Sequence, residues 1–370
     1  MRSQSPNAAP PARASMPGLD EKRPLKGTQN CVGFTRRLFS SPGVYARAAL
    51  AFLTLTSLAI AQPAPPADIC KTLLTDASRP PEPPAILPPD RAIRVLVFGD
   101  FGDGSLGQKR VAAAMDENDE AHAFDFGITL GDNFYPQGLD DLSDPRWERD
   151  WETMYDRLKV RIYATYGNHD YMDAGSPQAE IRYSLRSESW CLPRPYYTFT
   201  AGPVQFFAID TNPIRRKEHS RQRQLQWLDQ ALAASKAPWK VVYGHHPIFS
   251  TGEDGGTPEI ARQVLPILKR RHVDIYLAGH QHDMESLRPE GGVRFFVSGT
   301  GGHDLRPLGK DHHHRRLWAV GKTGGFTVLE AEPDAEALQV SFFDAGNVRL
   351  CRVWVGKGAA VDAADCESGG

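Results

Sequence analysis

From residue 93 onward, short apolar runs alternate with longer stretches of mixed polarity. The runs 93–98, 124–130, 161–166, 241–243, 275–278 and 295–298 are mostly aliphatic and aromatic, with few polar interruptions. That is the pattern of strands buried on both faces. Between them, 106–122, 144–158, 220–235 and 258–271 have helix-forming composition, and Asp144-Pro145 puts proline just inside the start of the second. Strand–helix alternation of this kind predicts an α/β domain around a buried sheet. Two further runs, 196–200 and 204–209, predict a hairpin around Gly202, and 325–330, 338–343 and 350–355 predict a closing meander. Two mixed β-sheets packed face to face, flanked by helices, house both sets. No internal repeat and no second independent domain emerges from the pattern.

The first ninety residues follow different rules. Residues 1–47 are polar, basic and without periodicity, and the apolar stretch 48–61 that follows is too short to span a bilayer comfortably. Its basic flank and the terminal Ala59-Ile60-Ala61 make it the core and cleavage site of a signal peptide. Thr35-Arg36-Arg37-Leu38-Phe39 resembles a twin-arginine export signal, and Met16 is an alternative start. The expected organisation is an export leader over 1–61, a Pro-rich linker over 62–90, a catalytic domain over 91–356 and a tail over 357–370. Export places the protein in the periplasm or outside the cell, with no stable membrane anchor once the leader is removed.

Composition changes this picture little. Of 370 residues, 41% are hydrophobic and 24% charged, with a formal net charge of −2, so nothing points to nucleic acid as a partner. Cysteine usage adds more. Cys31 lies in the leader, and the rest of the chain carries Cys70, Cys191, Cys351 and Cys366, an even number suited to two disulfides in an oxidising compartment. Four cysteines allow three pairings. Cys351 with Cys366, or Cys70 with Cys191, are among them, and spacing does not choose. No C-x-x-C pair is present in the chain, which argues against a structural zinc site.

The chemistry lies in five strings, each at the end of an apolar run: Gly99-Asp100-Phe101-Gly102, Gly131-Asp132-Asn133-Phe134-Tyr135, Gly167-Asn168-His169-Asp170, Gly244-His245-His246-Pro247 and Gly279-His280-Gln281-His282. They offer carboxylates, a phenol, an amide and imidazoles, the donor mixture that holds two metal ions, a common device for hydrolysing phosphate esters. Ligands of α/β sheets gather at the carboxyl ends of strands, where all five strings fall, and the leading glycines are expected to let the backbone turn into the site.

In their order and spacing these motifs resemble the calcineurin-like metallophosphoesterases over roughly residues 93–345, and within them the small, tartrate-resistant type of purple acid phosphatase. The resemblance implies a four-layer α/β/β/α sandwich. Most of that superfamily has Asp-x-His in the first motif; here it reads Asp100-Phe101-Gly102, and Tyr135 stands in for the missing ligand. A phenolate suits Fe(III) better than a divalent ion. The resemblance assigns Asp100, Asp132, Tyr135 and His282 to Fe(III), with Asp132 bridging to a divalent ion (Fe, Zn or Mn) held by Asn168, His245 and His280. It implies an acid phosphatase acting on small phosphate monoesters by attack of a metal-bound hydroxide, with His169 protonating the leaving group and Asp170 orienting His169. His246, where the small phosphatases usually have Tyr, either touches substrate or fills the wall.

Asp254 falls where those phosphatases place a further substrate-binding His, and an acidic group there is expected to repel a phosphate dianion. His303 is a possible compensator from another direction. The run His312-His313-His314 reads as a solvated loop, with Arg315 and Arg316 beside it available to attract anions. Two rival functions follow from the same residues: a phosphodiesterase or nucleotide hydrolase on the same centre, and a metal- or phosphate-binding protein without turnover. The oligomeric state is not legible in the sequence.

Overall fold

In a computed structural model of the chain, which describes residues 69–75, 83–172, 175–334, 336–357 and 363–366, the strands, numbered β1 to β16 in chain order, form two eight-stranded sheets. The first runs β1 (Ala85–Leu87), β6 (Tyr197–Ala201), β7 (Val204–Ala208), β8 (Trp239–Tyr243), β9 (Ile275–Ala278), β11 (Val293–Ser298), β10 (Asp283–Glu290), β12 (Arg316–Gly321). The second runs β16 (Ala363–Cys366), β15 (Arg349–Gly356), β14 (Ala337–Asp344), β13 (Gly325–Ala331), β2 (Ile93–Phe98), β3 (Phe126–Thr129), β4 (Ile162–Tyr163), β5 (Trp190–Cys191). Parallel pairing joins β1 to β6 and runs through β7, β8, β9 and β11 in the first sheet and β2 through β5 in the second, and the other neighbours pair antiparallel. Both sheets are therefore mixed, as expected. The leader assigned to 1–61 lies outside the described residues.

Side-chain alternation sets the layers. Phe206, Val241, Tyr243, Ile275 and Leu277 join the core shared with the second sheet. Their neighbours Phe207, Val242, Tyr276 and Ala278 pack instead with Leu228, Leu232, Ile260 and Leu268 of the flanking helices. Across the inter-sheet core, Phe126 of β3 meets Phe199 and Phe206 of the first sheet edge-on, at 5.8 and 5.4 Å. In chain order the α-helices are α1 (Ile69–Thr75), α2 (Leu106–Ala121), α3 (Ser176–Tyr183), α4 (Thr211–Arg215), α5 (Arg221–Ala234), α6 (Pro258–Gln263) and α7 (Leu265–Arg270). Helix α2 packs against β13 and starts on Ser105, whose hydroxyl accepts from the Gln108 N–H at 3.1 Å.

Several expectations need correcting. The helix expected over 144–158 is a single wide π-turn, Trp147–Glu152, closed by a Thr153 N–H bond to the Glu148 carbonyl. Its two tryptophans are both anchored there: Trp147 stacks on Tyr183 at 3.6 Å while Trp151 packs on Trp190 at 4.7 Å. The helix expected over 258–271 divides into α6 and α7, because Pro266 has no N–H to continue the ladder. The stretch 62–90 is more than a linker. It contributes α1 and β1, the latter paired in parallel with β6, and Cys70 of α1 is bonded to Cys191 of β5. Likewise 357–370 holds β16, antiparallel to β15 and tied to it by Cys351–Cys366. Among the described residues no helix is long and apolar enough to cross a membrane.

Candidate metal centre

The loops leaving β2, β3, β4, β8 and β9 converge, and with them Asp100, Asp132, Asn168, His245 and His280; His282 enters immediately before β10. The turning is done by the side-chain-bearing residues rather than by the glycines before them. Asp100 (φ 58°), Asp132 (φ 50°) and His280 (φ 71°) are left-handed, whereas of the five leading glycines only Gly131 (φ 85°) is. Each such residue costs about 1–2 kcal/mol, a strain typical of functional sites. Gly167 and Gly279 serve close approach instead. A Cβ at 167 would lie 2.0 Å from the Asp132 nitrogen, and one at 279 would lie 2.4 Å from Asp100 Oδ2.

Two clusters share Asp132. On one side the buried Tyr135 hydroxyl lies 3.1 Å from Asp132 Oδ2, 3.4 Å from Asp100 Oδ1 and 3.4 Å from His282 Nε2. On the other, His245 Nε2 lies 3.3 Å from Asp132 Oδ2, 3.1 Å from Asn168 Oδ1 and 3.1 Å from His280 Nδ1. Backbone carbonyls orient two of the rings: Leu130 O lies 2.9 Å from His245 Nδ1, and Asp304 O lies 2.8 Å from His282 Nδ1. With Nδ1–H donating to those carbonyls, each Nε2 is aimed at the centre. The seven residues expected to ligate metal are thus all brought together.

The donor set fits two cations. Asp100 and Asp132 are buried, and their ion-pair partners are imidazoles. Burial, then the charges of Asp132 and Asp100, push the Tyr135 phenol well above its ordinary value. Burial works against charge on His245, but Asp132 outweighs it and holds the imidazole at about 9. Protons here occupy the positions that cations take when such ligands bind metal.

His169 sits at the rim, 27% exposed, with Nε2 4.0 Å from Asp132 Oδ2 and its ring 4.4 Å from the Tyr135 ring. Its Nδ1 meets the Pro136 carbonyl at 2.6 Å. Asp170 therefore does not hold that imidazole. Its Oδ1 accepts from the Asn133 and Phe134 N–H groups at 2.9 and 3.3 Å, and its Oδ2 from Asn133 Nδ2 and the Gly167 N–H at 2.9 and 2.7 Å. Fully buried, it ties the β3 loop to the β4 loop. Burial and then Asp132 push its pKa up to about 7, opposed by those N–H groups. His246 is also fully buried, and Thr211 Oγ1 lies 2.7 Å from its Nδ1.

The repulsion expected of Asp254 is offset by Arg306, which lies 3.0 Å from Asp254 and 3.3 Å from Asp304. His303 stacks on the Tyr135 ring at 3.5 Å, with Nδ1 2.8 Å from Asp103 Oδ2. The three histidines at 312–314 are exposed, as expected of a solvated loop. Arg315 is engaged by Glu290 and the Phe249 ring, and Arg316 by Thr251 and the Gly309 carbonyl, so both serve packing. Sequence reasoning missed Asn133, Thr211 and Arg306. Asn133 lies inside a motif and was the most accessible of these, because a buried amide flanked by ligands needs several partners.

The family profile described as calcineurin-like phosphoesterase matches residues 93–284, more than half the chain. A tartrate-resistant acid phosphatase type 5 from Sus scrofa is 30% identical over 298 residues, spanning 71% of this chain and 86% of that one. Purple acid phosphatase 7 from Arabidopsis thaliana is 34% identical over 236 residues, spanning 57% of this chain and 71% of that one. Among solved structures, GAP50, described as the anchor in the inner membrane complex of Plasmodium, superposes with TM-score 0.62 at 21% identity, over 72% of this chain and 90% of that one. Purple acid phosphatase PPD1 from yellow lupin seeds gives TM-score 0.55 at 17% identity, over 70% of this chain and 52% of that one. These two likenesses establish the fold alone. Family profile, relatives and donor set agree: the chain belongs to the calcineurin-like phosphoesterases, falls among the purple acid phosphatases within them, and is a metal-dependent phosphoric ester hydrolase.

Proposed function

We propose that the protein is an exported acid phosphatase that hydrolyses phosphate monoesters at an Fe(III)–divalent pair. Asp100, Asp132, Tyr135 and His282 would hold the iron, and Asp132, Asn168, His245 and His280 the divalent ion (Fe, Zn or Mn). The observation that carries this reading is the Tyr135 hydroxyl, gathered with Asp100, Asp132 and His282 within 3.4 Å. When bound, the ions would neutralise the phosphate and acidify a water for in-line attack. His169, fixed by the Pro136 carbonyl and partly open to solvent, hydrogen-bonds the ester and gives its proton to the leaving alkoxide. Arg306 balances Asp254 and Asp304 and keeps the approach from being wholly acidic. The apolar stretch and small-residue site within 48–61 support export.

The visible absorption spectrum of the purified mature protein beside Tyr135→Phe tests the iron assignment. A pink-to-violet band lost in the variant is expected; a colourless protein that holds two metals removes Tyr135 from the ligand set. His169→Ala should lower kcat by about 10²–10⁴ at unchanged metal content. Unchanged turnover would sink its role as the acid. Cleavage of bis-(p-nitrophenyl) phosphate faster than the monoester would move the assignment to a diesterase.

A further inference from the structure

His246 is a residue that neither the stability of the core nor the seven-ligand set explains. Its side chain is fully buried, yet its Nε2 has no hydrogen-bond partner. Buried polar atoms in native proteins are nearly always paired, so an orphan of this kind asks for an absent group. The ring is held from behind. Thr211 Oγ1 lies 3.1 Å from the His246 backbone N–H and 2.7 Å from its Nδ1. A hydroxyl has two lone pairs and can accept from both the backbone N–H and Nδ1–H; in that tautomer Nε2 keeps its lone pair free. That tautomer matches His245 and His282, where a carbonyl holds Nδ1 and Nε2 is aimed at the centre.

The surroundings point the same way. One nitrogen each of His245, His246 and His280 can be gathered within 4.8 Å of one another. The His246 ring centroid is 4.9 Å from that of His245 and 4.6 Å from that of His280. Three imidazole nitrogens collected in so small a buried volume form a site that one cation could fill. We infer that His246 is a further ligand of the divalent subsite, adding a third imidazole to His245 and His280; this rests on the two-metal reading above. Such a nitrogen-rich set favours Zn(II) or Fe(II) over Mn(II), which prefers oxygen donors.

The test titrates Zn(II), Mn(II) and Co(II), each against a competing chelator, into mature protein that already carries its iron. Wild type, His246→Leu and Thr211→Val are compared. His246→Leu is expected to weaken Zn(II) by at least about tenfold. Its Zn(II)-over-Mn(II) preference should shrink, its Co(II) visible spectrum should change, and the Tyr135 band should remain. Thr211→Val, which keeps the ring but removes its anchor, should show a smaller loss in the same order. If wild type binds two ions per chain while Zn(II) affinity, metal preference and Co(II) spectrum are unchanged in both variants, His246 is not a ligand. Should His246→Leu fail to fold, unchanged Zn(II) affinity in Thr211→Val overturns the proposal by itself. Wild type that takes up fewer than two ions refutes the two-metal reading instead, and the inference falls with it.

Discussion

Replacing Asp170 with Ala separates a structural carboxylate from a catalytic one. Its two oxygens accept from the Asn133, Phe134 and Gly167 N–H groups and from Asn133 Nδ2. Bonds to a charged group contribute about 1.5–3 kcal/mol each, a gross sum of roughly 6–12 kcal/mol. Against this stands the cost of keeping the buried charge beside Asp132. Burial and Asp132 outweigh those bonds and leave the pKa at about 7, so the carboxyl is near half-protonated at neutral pH. The loss in Asp170→Ala is set by the donors left buried without an acceptor and is about 2–5 kcal/mol, since larger single-site effects are exceptional. The sign of its pH dependence follows from the raised pKa. The proton-linked contribution of Asp170 is fully present below the unfolded value near 3.8 and is lost as pH rises through about 7. The gap between wild type and variant in the metal-free protein should thus be wider at about pH 5.5 than at about pH 8, read by urea denaturation. In the metal-loaded enzyme, Asp170→Ala should lower kcat far less than His169→Ala does, because the Pro136 carbonyl and not Asp170 holds that ring. Unchanged stability together with a loss of kcat as large as that of His169→Ala would refute this reasoning and restore Asp170 as the orienting group.

Two further outcomes follow from groups outside the centre. Asp116 has an unpartnered buried oxygen, and burial raises its pKa to about 6, so its proton-linked stability is present below about 3.8 and lost as pH rises through 6. Asp116→Asn should therefore stabilise the protein by about 1–2 kcal/mol at neutral pH and by less near pH 5, read as a shift in thermal midpoint; a loss at neutral pH would mean that its contact with Arg157 outweighs the burial. Arg306→Ala leaves Asp254 and Asp304 unbalanced at the rim, and is expected to raise KM for a phosphate monoester several-fold with a smaller change in kcat. An unchanged KM would place those charges away from the path of the substrate.

What was legible in the sequence divides along a physical line. Strands such as 93–98 and 275–278 announce themselves because burial on both faces leaves few polar interruptions, and the structure begins and ends those strands at the same residues. Ligand types at strand ends were equally plain, since Asp, Tyr, Asn and His in that order have few other uses. Anything that depends on how one loop meets another was not. Asp170 follows His169 directly, so adjacency suggested a pair, but a 3₁₀ turn over His169–Tyr171 sends the two side chains to different neighbours, one to Pro136 and the other to Asn133 and Gly167. Asp254 looked like an uncompensated charge because its partner, Arg306, lies 52 residues along the chain. The leading glycines looked like hinges, yet the left-handed backbone belongs to Asp100, Asp132 and His280 themselves. That strain is sustained by what surrounds it: the His280 N–H donates to Asp100 Oδ2 at 2.9 Å and the His169 N–H to Asp132 Oδ1 at 2.7 Å. A motif names the atoms that chemistry needs, whereas their aim is set by backbone groups that any residue could have supplied. The two carbonyls behind His245 and His282 belong to Leu130 and Asp304, and nothing about a leucine or a loop aspartate in the sequence marks it for that task.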